Sequence, residues 1–208
     1  MLKKSELQFI VIAGPNGAGK STISSELLMP LGIKAFDWDL IFQDNWRKFG
    51  FDPVLIQGIR NRTNEAFDEY IEKSFTNESP LAYETNFHSI HNLDLALKAR
   101  EKGYKCSLYF LAVDNVITCI ERVALRVKNG GHAVDEPTIR QRFKQGLTLL
   151  DGQAVQHYDK IFIHDSGSDF NLLLIIENSK IVYQAEGINK SIIMKLPNIR
   201  SLLNAESI

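Results

Sequence analysis

The chain has 208 residues, a formal net charge of -1 and 44% hydrophobic residues. That composition supplies enough apolar material for one domain with a sizeable core. It argues against a general nucleic-acid or membrane-surface binder, which would usually be basic.

Residues 8–14, "QFIVIAG", read as the first strand. The two lysines before this apolar run imitate an export signal. The run is too short, and Ser5, Glu6 and Gln8 interrupt its approach, so a cytoplasmic location is expected. No apolar segment is long enough to span a bilayer. Cys106 and Cys119 have neither a CxxC nor a metal-ligand spacing and fit buried thiols in a reducing compartment.

The strand runs into "GPNGAGKST", Gly14, Pro15, Asn16, Gly17, Ala18, Gly19, Lys20, Ser21 and Thr22. Gly14, Gly19, Lys20 and Ser21 match the Walker A pattern G-x-x-x-x-G-K-[ST]. Glycines let the backbone curl so that N–H groups face phosphates. Lys20 brings positive charge to them, and the Ser21 hydroxyl is the expected Mg²⁺ ligand. The helix expected from Lys20 to about Met29, before Pro30, adds the positive end of its dipole. Asn16 and Thr22 read more simply as a turn residue and a helix-start residue.

"IKAFDWD" reads as strand two. Asp37 and Asp39, two apart in extended chain, would point the same way and could bind a hydroxyl and accept its proton. One of them could instead cap the next helix. A long helix is expected over about 53–75, with Ile59, Phe67, Tyr70 and Ile71 toward the core. "PLAYETNF" reads as strand three. It carries Glu84 among apolar neighbours, where a charge needs a partner or a site, followed by Asn86 and His88.

"NLDLALKAREKG" reads as a helix closed by Gly103, and "YKCSLYFLAV" as a buried strand four. Asp114 then stands where a helix cap is needed, a better fit than a magnesium role. The helix it opens would end at Gly130 and Gly131. Arg122 and Arg126 lie four apart on one face of it. After the two glycines come His132, Arg140, Arg142 and Lys144, on a further helix expected over 139–150. A basic helix, a glycine joint and more arginines suggest a closing lid over about 126–145. "KIFIHD" reads as strand five. "NLLLIIENSKIVYQAEG" reads as an antiparallel pair turning at Asn178-Ser179, and the last twenty or so residues read as helical.

Strands alternating with helices predict an α/β sandwich, like that of P-loop NTPases. A mostly parallel core sheet of about five strands is expected, with helices on both faces and a C-terminal antiparallel strand pair. No linker divides the chain, so a single domain over 1–208 is expected. The same phosphate loop occurs in transporter ATPases, but no LSGGQ-type signature and no strong apolar run ending in Asp-Glu follow it. A guanine-specificity N-K-x-D motif is also missing.

Four stretches, "GPNGAGKST", "FDWDL", "YETNF" and "RVALRVKNGGHAVDEPTIRQRF", together resemble the zeta-toxin family of P-loop kinases, in particular its shorter bacterial members. The resemblance covers most of 9–150. Arg122, Arg126, Gly130, Gly131, His132, Val134, Glu136, Ile139, Arg142 and Phe143 match the last element. Asp135 stands where the family's proline is usual, and Asn86 where many members have threonine.

The resemblance implies a kinase using ATP and Mg²⁺. Lys20 would hold the phosphates and Asp39 would be the general base. Asp37, Glu84 and Asn86 would lie on the substrate side, with Arg122 and Arg126 stabilising the transferred phosphate. The acceptor would be a hydroxyl of a small molecule, for which the family suggests a UDP-N-acetylglucosamine-like nucleotide sugar. An antitoxin protein would be a partner outside this chain. A regulatory nucleotide-binding module and a polynucleotide kinase are the alternatives.

Overall fold

The structure is a computed structural model that describes residues 7–131, 133–167 and 170–205. Among these residues seven strands form one sheet in the order β2-β3-β1-β4-β5-β6-β7. These are β1 (Gln8–Ala13), β2 (Phe36–Asp37), β3 (Leu81–Thr85), β4 (Lys105–Ala112), β5 (Lys160–Asp165), β6 (Asn171–Glu177) and β7 (Lys180–Gln184). β1 to β5 run parallel, and β6 and β7 are antiparallel additions at one edge. The expected architecture is present. β1 sits at the centre, with β3 and β4 on its two sides, and is buried from Phe9 to Ala13.

A continuous apolar run buried on both faces is what a central parallel strand needs. Phe9 and Val11 face one side, with Leu108, Phe110, Ile161 and Ile163. That side packs on α3 (Ile56–Thr76), α4 (His91–Glu101) and the C-terminal helices α8 (Lys190–Met194) and α9 (Pro197–Ala205). Ile10 and Ile12 face the other side with Leu28 of α1 (Lys20–Leu28). There, too, Leu111 and Val113 meet Cys119 and Val123 of α5 (Val116–Lys128) and Ile139 of α6 (Glu136–Leu149). Both cysteines are buried, and burial pushes their thiols up to about 12 (Cys106) and about 11 (Cys119).

Three local expectations are corrected. Strand two is only Phe36–Asp37, because the Asp37 side chain accepts from Leu40 N at 3.0 Å and starts helix α2 (Trp38–Lys48) at once. Asp39 therefore lies in the first turn of a helix, not beside Asp37 on a strand. Asp114 is not the cap of α5. Asn115 is, accepting from Ile117 N at 2.9 Å. Asp114 instead accepts from Ser191 and from Lys195, the latter at 3.1 Å, and those contacts hold its carboxyl below the usual range. The helix after the glycines begins at Glu136, capped by Asp135, which accepts from Thr138 N at 2.9 Å.

The β6–β7 turn falls where expected. Asn178 and Ser179 have φ of 50° and 64°, the pair of left-handed residues that a tight hairpin requires. After α6 the chain widens into a π-helical turn, Leu150–Ala154. Asp151 in that turn is 8% exposed, and its carboxylate accepts from Asn198 N at 3.2 Å and Ile199 N at 2.9 Å. One buried charge thus fixes the start of α9. Asp151→Ala should lower unfolding free energy by about 1–3 kcal/mol, measured by urea denaturation, because two helix-start donors lose their acceptor.

Candidate active site

The phosphate loop leaves the C-terminal end of β1, where open parallel sheets place their ligands. Gly14, Gly17 and Gly19 have φ of 145°, 80° and 82°, so the loop curls in a way that side-chain-bearing residues resist. A Cβ on Gly19 would also lie 2.7 Å from the Phe170 ring.

Lys20 folds back over this loop. Its Nζ donates to Gly14 O at 2.9 Å, Pro15 O at 3.2 Å and Asn86 Oδ1 at 3.0 Å. Burial lowers its pKa, and the nearby carboxylates of Asp39, Glu84 and Asp37 oppose that loss of charge.

The carboxylates come from two elements. Asp37 ends β2 and Glu84 lies opposite it in the parallel register of β3. Ser21 Oγ donates to Glu84 Oε2 at 2.9 Å and lies 3.4 Å from Asp37 Oδ2. Burial and the Asp37 charge push the Glu84 carboxyl up, against the pull of Ser21 and Lys20. The set of one hydroxyl and two carboxylates is all hard oxygen, as Mg²⁺ prefers. Among the described residues no group of three or more His, Cys, Asp or Glu could hold a metal. The residues present therefore fit an ion that Ser21 and one or two carboxylates share with phosphate oxygens and water.

These groups open on one cavity of about 1100 Å³. Asn16, Gly17, Gly19, Lys20, Ser21, Thr22, Asp37, Asp39, Glu84 and Asn86 all line it, as do Arg122, Arg126 and Arg142. Asp114, Arg140 and the glycine joint do not. Arg140 pairs with Glu136 at 2.7 Å on the exposed side of α6. Gly130 has φ of 84° and ends α5, and a Cβ on Gly131 would lie 2.5 Å from Arg126 Cγ. The joint thus packs directly on one of the cavity arginines. His132 lies outside the described residues.

The three cavity arginines differ in their partners. Arg122 Nη1 donates to Gly17 O at 3.3 Å and Ser166 O at 2.7 Å, and Nη2 donates to Gly167 O. It braces the phosphate loop against the segment after β5. Arg126 lies near enough to Lys20 to lower the lysine pKa. Arg142 Nη1 donates to Asn16 Oδ1 at 3.4 Å. Burial of His88, and after it the Arg142 charge, lower the pKa of that histidine, against the pull of Asp39.

The far wall of the cavity was not visible in the sequence. It is built by α2 and α3, with Trp38, Gln43, Gln57, Arg60, Asn64 and Asp68. Trp38 Nε1 donates to Asn64 Oδ1 at 2.8 Å and stacks on Phe42. The Arg60 guanidinium lies 5.3 Å from the Phe42 ring centroid, over the ring. The sequence cue was the i, i+4 spacing of Trp38, Phe42 and Trp46, which marks one helical face once α2 is recognised.

No family model matches the chain, and no curated protein matches it. Solved structures do. One belongs to the PezAT chromosomal toxin-antitoxin system of Streptococcus pneumoniae, with TM-score 0.60, 15% identity, and coverage of 98% of this chain and 86% of that one. A second is the AvrRxo1-ORF1:ORF2 complex with ATP, with TM-score 0.69, 10% identity, and coverage of 95% and 65%. A third is the Pnkp1/Rnl/Hen1 RNA repair complex, with TM-score 0.54, 14% identity, and coverage of 72% and 47%. The chain spans less than two thirds of the latter two. At these identities the likeness is one of fold, and it is the P-loop kinase-like fold expected from the sequence.

Because folded Glu84 binds its proton more tightly than the unfolded chain does, stability falls as pH rises from the ordinary carboxylate range through the raised value. Glu84→Gln removes that loss. In Mg²⁺-free buffer the variant should melt above wild type at pH 7, and the difference should close by about pH 4.

Proposed function

We propose that this chain is an ATP- and Mg²⁺-dependent phosphotransferase that phosphorylates a hydroxyl of a small molecule. The observation that carries this reading is the convergence of Lys20, Ser21, Asp37, Asp39 and Glu84 on one cavity. Its volume of about 1100 Å³ exceeds the roughly 300–1,000 Å³ of ordinary ligand pockets and leaves room for nucleotide and acceptor together.

In this reading the nucleotide displaces Lys20 from the Gly14 and Pro15 carbonyls, and its ammonium moves to the phosphates. Ser21 and the Asp37–Glu84 pair would hold Mg²⁺, which would neutralise phosphate charge. Asp39, in the first turn of α2, takes the acceptor hydroxyl proton. The acceptor oxygen then bonds to the terminal phosphorus as the bond to the bridging oxygen breaks, and ADP leaves. Arg126 and Arg142 meet the charge in transit, while Arg122 keeps the loop in shape. Asn86 holds Lys20 from the β3 side. Residues 126–145 act as the lid, with α6 as its moving wall.

The acceptor lies against α2 and α3. The sequence resemblance to zeta toxins supports a UDP-N-acetylglucosamine-like nucleotide sugar there. The likeness to a PezAT structure supports a protein antitoxin as partner. A polynucleotide end as acceptor is the second reading, favoured by the likeness to the RNA repair complex. The net charge of -1 weighs against it.

Incubation with labelled ATP and a metabolite panel that includes UDP-N-acetylglucosamine, read by mass spectrometry, tests the reaction. Asp39→Asn should slow transfer by about 10²–10⁴-fold while ATP affinity stays within a few-fold. Lys20→Ala should remove tight nucleotide binding. Transfer by Asp39→Asn at the wild-type rate would exclude Asp39 as the base. Salt-sensitive binding to single-stranded RNA, with 5′-end labelling, would move the acceptor to the second reading.

A further inference from the structure

Asn16 and Thr22 are the polar residues of the phosphate loop whose side chains have no task in the reaction above, and of the two Asn16 is the buried one. It is 1% exposed. Its Oδ1 accepts from Arg142 Nη1 at 3.4 Å, and its Nδ2 is buried with no hydrogen-bond partner among the described residues. Arginine only donates, so the amide oxygen must face Arg142 and the amide nitrogen must face away from it. A buried amide donor without an acceptor is a cost that a fold retains only for a reason. Asn16 lines the cavity, and it follows directly the two carbonyls, Gly14 O and Pro15 O, on which Lys20 rests.

Arg142 also has few other options. It lies on α6 and lines the cavity, and its one hydrogen bond among the described residues is to Asn16. Its charge reaches His88 on the β3 side, which places it between the phosphate loop and the acceptor half of the cavity. A long, mobile cation in that place needs something to aim it. An arginine held by one long hydrogen bond in the absence of ligand is poised rather than fixed.

We propose that Asn16 is a positioning residue that couples occupancy of the phosphate loop to the placement of Arg142. When a triphosphate enters, a phosphate oxygen supplies the acceptor that Nδ2 lacks. The amide is then held from both ends, and its Oδ1 fixes Arg142 against the terminal phosphate. A diphosphate leaves that terminal position vacant and gives Arg142 nothing to bind. Asn16 would therefore make the site discriminate ATP from ADP through an arginine on a different element. This rests on the phosphotransferase reading for the identity of the ligand, but not on the acceptor or on Asp39.

The test is calorimetric binding of ATP and ADP, with Mg²⁺, to wild type, Asn16→Ala, Arg142→Ala and the double variant. Wild type should prefer ATP. Each single variant should lose about tenfold or more of ATP affinity, as loss of a charged hydrogen bond implies, with little change for ADP. The double variant should lose no more than Arg142→Ala alone, since the two residues act as one unit. Asn16→Asp, which keeps an oxygen for Arg142 but sets a carboxylate oxygen against the phosphate in place of the N–H donor, should lose at least as much ATP affinity as Asn16→Ala. Equal losses for ATP and ADP in Asn16→Ala would make Asn16 a structural loop residue and overturn the coupling, as would losses that multiply in the double variant. Failure of wild type to bind either nucleotide would instead remove the phosphate-loop reading, and the coupling with it. Binding without transfer to any acceptor would leave the coupling standing and remove only the enzyme reading.

Discussion

The site depends on a charge balance around one lysine. Lys20 sits among Asp37, Asp39 and Glu84, and burial alone would push it toward neutrality. The carboxylates keep its charge affordable in the absence of ligand. They also make the site costly in return, because Glu84 and Asp37 face each other across adjacent strands with Ser21 between them. A folded protein does not gather two carboxylates around one hydroxyl for stability, since like charges in a partly buried place repel. In the proposed reaction the arrangement would be relieved as cations and anions enter together. Magnesium would compensate the carboxylates, and phosphates would draw the lysine off its own loop.

The sheet makes this balance possible. β1, β2 and β3 end side by side, so the loop after β1, the cap at the end of β2 and the side chain near the end of β3 meet without any long-range adjustment. The burial of Phe9 to Ala13 fixes the root of the loop. Arg122 then ties Gly17 to Ser166 and Gly167, across from the β3 side. The phosphate half of the cavity is thus held from β1, from α5 and from the end of β5.

This explains which parts could be read from the chain alone. The phosphate loop is a local pattern, and its glycines, lysine and serine mean the same thing wherever a strand precedes and a helix follows. Asp37 and Asp39 could be picked out as residues, but their element could not. Whether Asp37 extends a strand or caps a helix turns on a single hydrogen bond to Leu40 N. The arginines show the same limit. Spacing places Arg122 and Arg126 on one helical face, yet one braces backbone and the other lies near Lys20. Arg140 and Arg142 are two apart, so the turn of α6 sends one to Glu136 and the other to Asn16. The wall of Arg60, Asn64 and Gln43 was invisible because it requires α2 to pack on α3.

That wall is where specificity would be set. Its order comes from side chains stacked on one another: Trp38 on Phe42, Phe42 against Trp46, and Trp46 against Phe51 in the turn between α2 and α3. Arg60 over Phe42 and Asn64 bonded to Trp38 present a cation and an amide from that stack to the cavity. Such a wall can change its polar groups without disturbing the sheet, because α2 and α3 meet the sheet edge mainly through β2 and β3. The phosphate half could not change so freely, since in the proposed reaction the residues that satisfy the loop would also hold the nucleotide. In the proposed reaction one fold could therefore keep its phosphate chemistry constant while its acceptor varied, and Trp38, at the foot of the aromatic stack and directly after the end of β2, is the point where the two halves are joined.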